Sequence, residues 1–207
     1  SGSSFDFYEK EHEKLYQELN CLTAGLKDIL KTKVIFRDFL PTYIFTESEV
    51  VVAIGQDGLI ANTAKYLKGQ SLAGVNPDPE SYDGVLLPFN SKSVIPAIKG
   101  AIKGQFNSKK VSLAKATLND GQELLAFNDF YIGAKSHVSS RYKITFKGQS
   151  EVQSSSGIII STQAGSTGWL SSVLNMAYNV GSHFGVNFPH SSLDLNQKSS
   201  ELIFTVR

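Results

Sequence analysis

Between residues 7 and 30 the apolar positions Tyr8, Leu15, Tyr16, Leu19, Leu22, Leu26, Ile29 and Leu30 recur near helical spacing. That rhythm predicts one long amphipathic helix whose role is packing. The pattern then shortens. Lys33-Val34-Ile35-Phe36 reads as a short strand, Pro41 falls in a loop, and Val50-Val51-Val52-Ala53-Ile54 is a continuous apolar run. Such a run suits a parallel strand buried on both faces. A helix through Leu67 and a strand over 71–75 follow, and this alternation predicts a parallel α/β layer. Two prolines in Asn76-Pro77-Asp78-Pro79 stiffen the loop at the second strand end. A helix over about 93–106 leads into a region where strand patterns dominate, at 111–118, 124–132, 141–147 and 157–161. Asn119-Asp120-Gly121 and Lys147-Gly148-Gln149 are turn signals between them. A helix at 170–178 and a strand at 202–206 complete the pattern, which contains no internal repeat or low-complexity tract. The fold class expected is α/β plus β, with an α/β domain over 1–90 and a β-rich domain over 91–207.

Three places carry candidate chemistry. The run from Val50 ends in Gly55-Gln56-Asp57-Gly58, which sets a carboxylate at a strand tip, where ligands of open α/β sheets bind. The same residues also suit a plain strand-to-helix turn in which Asp57 caps the helix. Next, Asn128 and Asp129 stand side by side within the strand pattern of 124–132. Adjacent strand residues point to opposite faces, so the two share a ligand only where the strand is irregular or at an edge. Finally, Ser161-Thr162-Gln163-Ala164-Gly165-Ser166-Thr167-Gly168-Trp169 closes an apolar strand with glycines and hydroxyls before a helix. Its backbone amides either meet phosphate oxygens or are capped by Ser and Thr with Trp169 in the core.

With 207 residues, 41% of them hydrophobic, the chain can bury a substantial core. Its apolar runs are too short to span a membrane, and no leader pattern opens it, so a cytoplasmic protein is expected. The lone Cys21 fits a reducing compartment and a packing role. The net charge of +1 hides an uneven distribution. Residues 1–90 carry 8 Lys/Arg against 13 Asp/Glu, residues 91–150 carry 10 against 3, and residues 151–207 carry 2 against 3. A basic segment beside an acidic one suits an anionic ligand, attraction between domains, or a solvated face. The lysines, Lys109, Lys110, Lys115, Lys135, Lys143 and Lys147 among them, form no nucleic-acid motif, and neither nucleic acid nor membrane is expected as a partner. His12, His137, His183 and His190 are too dispersed for a metal site.

The three motifs, in this order and spacing, resemble those of the NAD kinase family, which shows Gly-Gly-Asp-Gly, then Asn-Glu, then Gly-Ser-Thr-Ala-Tyr. The resemblance runs from about Val50 to Ser172, and Gly74-Val75-Asn76-Pro77-Asp78-Pro79-Glu80 with Ser155-Ser156-Gly157 looks closest to the mitochondrial-type branch. It implies a Rossmann-like α/β domain followed by a β-sandwich domain, with NAD bound between them and ATP as phosphoryl donor. Asp57 would then be the general base that takes the proton of the adenosine 2′-hydroxyl, with Gly55 and Gly58 giving room for phosphates. Asn128 and Asp129 would bind ribose hydroxyls, Ser166, Thr167, Gly168, Trp169 and Ser172 would surround the nucleotide, and Asn76 would lie nearby. Mg²⁺ is expected with ATP, because a carboxylate beside phosphates calls for a screening cation. The chain has no Walker-type Gly-Lys-Ser/Thr. A homodimer or homotetramer is implied by the same resemblance.

This sequence departs from the family pattern at Gln56 and Leu59, where Gly and Thr are usual, at Asp129 for Glu, and at Gly168-Trp169 for Ala-Tyr. These departures resemble a subfamily of the kind labelled sugar kinases, so a kinase acting on a sugar or lipid hydroxyl and a non-catalytic NAD-binding regulatory module are the alternatives. Family members also have a strand before the long helix and continue past the last strand found here. Ser1-Gly2 resembles a cloning remnant, and the sequence reads as trimmed at both ends.

Overall fold

A computed structural model of the chain describes residues 5–186 and 201–207. It divides into two compact units, Ser1–Lys109 and Lys110–Arg207.

In unit 1 the long helix α1 spans Phe5–Leu26. Strand β1 (Val51–Ile54) pairs in parallel with β2 (Leu72–Val75), Val51 facing Leu72 and Ile54 facing Val75, and α2 (Asp57–Ala64) connects them. A parallel bridge from Val75 to Phe89 extends the layer. Two strands alone are not stable in water, and here both faces are covered. Leu22 and Leu26 of α1, with Val94 and Ile98 of α3 (Val94–Ile102), pack around Val52, Ile54 and Val75. On the other face Ile60 of α2 and Leu87 enclose Ala53. Alternate residues of β1 thus enter two different clusters, as the pleat requires, which is why Val50 to Ile54 is apolar without interruption.

The strand expected at 33–36 does not form. Phe36 is extended, with φ −78° and ψ 152°. Lys33, Val34 and Ile35, however, line a cavity of about 260 Å³ together with Val50, Val52 and Ile54. Open space separates the segment from the free edge of β1, and an extended segment that makes no ladder bonds is not a strand. Pro41 lies in a 3-10 helix, Arg37–Thr42, rather than in a plain loop. Helix α3 belongs to unit 1, because Val94 and Ile98 are buried beside Leu22 and Leu26.

Unit 2 is built of antiparallel strands. β3 (Ala114–Thr117) and β4 (Glu123–Ala126) form a hairpin whose turn is fixed by Asp120 Oδ1 accepting from the Gln122 amide at 3.0 Å. β5 (Asp129–Gly133), β8 (Gly157–Ser161) and β9 (Ile203–Val206) form a three-stranded sheet with β8 in the centre. β6 (Ser140–Phe146) pairs with β7 (Gln149–Ser155) around a two-residue turn, Lys147 and Gly148, with φ of 49° and 79°. Both central residues at positive φ match the right-handed twist of a tight hairpin. β7 carries no apolar alternation, so its strand state comes from pairing with β6 rather than from its own pattern. Helix α4 (Trp169–His183) continues past the expected 178 and buries Leu170.

The segment Gly84 to Leu87 lies against β2 so closely that a Cβ on Gly74 would sit 2.1 Å from the Leu86 carbonyl oxygen. Gly74→Ala is therefore expected to push this segment outward and to cost roughly 1–3 kcal/mol, as overpacking does. Thermal melting followed by circular dichroism checks this; an unchanged Tm would contradict the packing described.

Candidate functional site

Unit 1 places Gly55, Asp57 and Gly58 at the carboxyl end of β1. Gly55 has φ +152°, a conformation side-chain-bearing residues rarely adopt, and its amide donates to Val75 O at 3.1 Å, closing the ladder. Asp57 does not cap α2. The N-cap is Gln56, which makes no side-chain cap bond, and Asp57 is the first helical residue. Its carboxylate reaches instead across to the loop after β2, where Oδ1 accepts from Leu86 N at 2.8 Å and Oδ2 from Val85 N at 3.1 Å. Gly58 is exposed, and a Cβ built there would meet nothing within 4 Å.

Asn76 is buried and serves that same loop. Its Nδ2 donates to Tyr82 O at 2.9 Å, and its Oδ1 accepts from Asp78 N at 2.9 Å. Asp57 and Asn76 are thus brought to one loop, the first gripping its end and the second folding its start. Three residues of α1 that sequence reasoning left to packing also meet the loops at the strand ends. Glu11 accepts from the Tyr82 hydroxyl and from Gln56 Nε2, Lys14 pairs with Asp78 at 2.5 Å and Glu80 at 3.5 Å, and Glu18 accepts from the Ser91 hydroxyl. Their spacing of three and four residues puts them on one helical face, a signal readable in the sequence once the loops are known to lie there. The ammonium of Lys14, with help from Ser81, holds the Asp78 carboxyl below the usual carboxylate range.

In unit 2 the strand pattern of 124–132 is broken in two at Phe127 and Asn128. Thr162 causes the break: its hydroxyl donates to Phe127 O at 2.6 Å and its amide to Asn128 O at 2.8 Å. The Phe127 carbonyl is thereby held by a side chain, the Asn128 bond carries the β5–β8 register one pair further, and β5 begins at Asp129, which faces Ser161 across the sheet. The strand is irregular at the Asn-Asp pair, as sharing a ligand demands. Gly165 makes the close approach possible, since a Cβ there would lie 2.2 Å from Asn128 O. The Asn128-Asp129 motif and the Thr162 to Trp169 motif are therefore joined through backbone.

Asn128 is exposed, whereas Asp129 is half-buried with its Oδ1 enclosed and without a hydrogen-bond partner. Burial holds the Asp129 carboxyl above its usual range. An enclosed carboxylate oxygen with no donor is costly, and functional sites are where such groups are kept. Ser166 donates to Gln163 O at 2.8 Å within the 3-10 turn Ala164–Thr167. Thr167 and Ser172 are exposed, and Gly168 is the N-cap of α4, with no side-chain cap bond. Trp169 stacks on Tyr131, with ring centroids 5.4 Å apart, and the Arg207 guanidinium lies 4.7 Å from the indole centroid. Sequence reasoning did not single out Tyr131 or Arg207. Tyr131 lies within a strand pattern and Arg207 just after one, and nothing in the sequence pairs them with Trp169.

Among the described residues no group of three or more His, Cys, Asp or Glu side chains could hold a metal ion, and no helix is long and apolar enough to cross a membrane. His190 lies outside the described residues.

The raised Asp129 carboxyl sets a pH-dependent penalty. The folded state resists ionisation that the unfolded chain completes near pH 3.9, so stability falls as pH rises from there through the folded value. Asp129→Asn is expected to raise Tm at pH 7, the gain vanishing well below pH 4, where both states of the parent are protonated. Melting curves across that range check it, and an equal gain at pH 3 would count against burial as the cause.

No protein-family model matches the chain, and no curated protein matches its sequence. Among solved structures it is similar in fold to an NAD kinase from Archaeoglobus fulgidus in complex with ATP, with a TM-score of 0.53 and 19% sequence identity. That likeness covers 75% of this chain and 60% of the other, so the chain spans less than two thirds of its neighbour's length. The likeness is one of fold, a mixed α/β architecture with small sheets.

Proposed function

We propose that this chain is an NAD kinase-like phosphotransferase, which transfers the terminal phosphoryl group of ATP to the adenosine 2′-hydroxyl of NAD and so makes NADP. Unit 1 is the Rossmann-like part on this reading and unit 2 the β-sandwich part. The observation that carries it is Asp57, a carboxylate fixed at the carboxyl end of a parallel strand with open space at Gly58 beside it. The likeness in fold to an NAD kinase supports it.

Asp57 uses one acceptor position on each oxygen for Val85 and Leu86, and a carboxylate has about four. A lone pair is left to take the 2′-hydroxyl proton as that oxygen attacks the terminal phosphorus of ATP. The new oxygen–phosphorus bond forms as the bond to the β-phosphate oxygen breaks, and ADP leaves. Mg²⁺ would enter with ATP and would supply neutralisation of the phosphate charge. Asp129 takes a ribose hydroxyl on this reading, with Asn128 at its side. Gly55, Gly58, Ser166, Thr167, Gly168, Trp169 and Ser172 complete the nucleotide-binding set, and Asn76 shapes the loop that Asp57 grips. A cytoplasmic setting and assembly as a homodimer or homotetramer belong to the same reading.

The test is NADP formation from NAD and Mg²⁺-ATP by the full chain, read with an NADP-specific dehydrogenase, beside Asp57→Asn. The parent is expected to make NADP, and the variant to lose about 10²- to 10⁴-fold in kcat, the usual contribution of a general base. NAD binding by calorimetry persists in the variant. Its Tm falls, because the amide nitrogen turns a donor toward an N–H that had an acceptor. NAD binding without any product would point to a regulatory module, and product from other hydroxyl acceptors alone to a different kinase.

A further inference from the structure

Asp57 is held by a ring of contacts that returns to a residue outside the three motifs. Starting from the carboxylate, Val85 and Leu86 donate to it. Three residues before Val85 is Tyr82, whose carbonyl is fixed by Asn76 Nδ2 at 2.9 Å. Between them Gly84 has φ +61°, and a Cβ there would lie 2.7 Å from that same Nδ2. The path from Tyr82 to Val85 is therefore short and tightly folded. The Tyr82 hydroxyl donates to Glu11 Oε1 on α1, and the same oxygen accepts from Gln56 Nε2 at 3.4 Å. Gln56 immediately precedes Asp57, and the ring is closed.

We infer that Glu11 is a positioning residue for Asp57: one carboxylate oxygen on α1 holds both the residue before the base and the loop whose amides the base grips. The inference rests on the phosphotransferase reading, since positioning matters only if Asp57 takes a proton. Apolar burial does not supply this hold. The buried residues of α1 are Leu22 and Leu26 near its end, whereas Phe5, Phe7 and Tyr8 at its start are exposed at 78%, 55% and 56%. Ahead of these two leucines, α1 meets the strand ends through Glu11, Lys14 and Glu18. Of these only Glu11 touches both sides of Asp57. Lys14 grips Asp78 and Glu80 earlier in the loop, and Glu18 reaches Ser91 beyond it.

The experiment compares Glu11→Ala, Glu11→Gln, Tyr82→Phe and Glu18→Ala in the full chain. One arm is amide hydrogen exchange at Val85 and Leu86, which needs no activity; the other is kcat and KM for NAD. Glu11→Ala and Tyr82→Phe should speed exchange at the two amides about tenfold or more and lower kcat at least about tenfold with KM little changed, because misplacing a reacting group by a fraction of an ångström costs that much. Glu11→Gln keeps a side-chain oxygen for both donors and should restore exchange and kcat. Glu18→Ala removes a comparable contact of α1 and should leave both readouts near those of the parent. Unchanged exchange in Glu11→Ala overturns the inference, as does a matching loss in Glu18→Ala or no rescue by Glu11→Gln. A parent that makes no NADP would sink the phosphotransferase reading alone, and the exchange arm would still decide whether Glu11 holds the ring.

Discussion

Two backbone N–H groups, those of Val85 and Leu86, find their acceptor in the Asp57 carboxylate, and unit 1 depends on that grip. A parallel strand that ends inside a layer leaves the chain beyond it with donors and no ladder, and each one left unpaired costs about 1–3 kcal/mol. The loop after β2 solves this by turning back over the sheet at Gly74, where only a glycine leaves room for the Leu86 carbonyl. Leu87 thereby reaches the cluster of Ala53 and Ile60, and Phe89 bridges Val75. One face of the parallel layer and the orientation of Asp57 are settled by the same turn.

Unit 2 solves the same problem with a hydroxyl. The Thr162 hydroxyl takes the Phe127 carbonyl, its amide carries the β5–β8 register on to Asn128, and Gly165 lets the following turn lie against Asn128. The two carboxylates of the motifs then differ. Both oxygens of Asp57 are occupied by amides, which fixes where the group points. One oxygen of Asp129 is enclosed without a partner, which leaves the group at a standing cost. The first carboxylate is aimed by its donors, and the second is held against its own ionisation by burial.

The elements legible in the sequence were those whose pattern is imposed by burial: β1 with two apolar faces, α1 and α3 with one, and β8 between two strands. Tight turns at Asp120-Gly121 and Lys147-Gly148 were legible for a local reason, the backbone angles they require. What failed had its cause elsewhere in the chain. Residues 33–36 are apolar enough for a strand but stand off from the free edge of β1 across a cavity, and β7 is too polar to announce itself yet pairs along its whole length with β6. The break at Asn128 is made by Thr162, 34 residues later. For the site, the motif residues were readable, while Glu11, Tyr82 and Tyr131 were not, since each acts through a contact with a distant element.

Gln56 changes meaning once its backbone is known. Read from the sequence, a glutamine in place of glycine threatens the turn, because it resists positive φ. In the structure the unusual angle belongs to Gly55, at φ +152°, while Gln56 sits at φ −95° and ψ 162°, ordinary extended backbone. The position therefore tolerates a side chain without strain. What the side chain adds is a donor to Glu11, and with it a tie between the first helix and the strand tip that glycine could not make. Glutamine at this place thus departs from the family pattern by adding a hydrogen bond rather than by deforming the turn, and it lies one residue from the carboxylate on which the proposed chemistry turns.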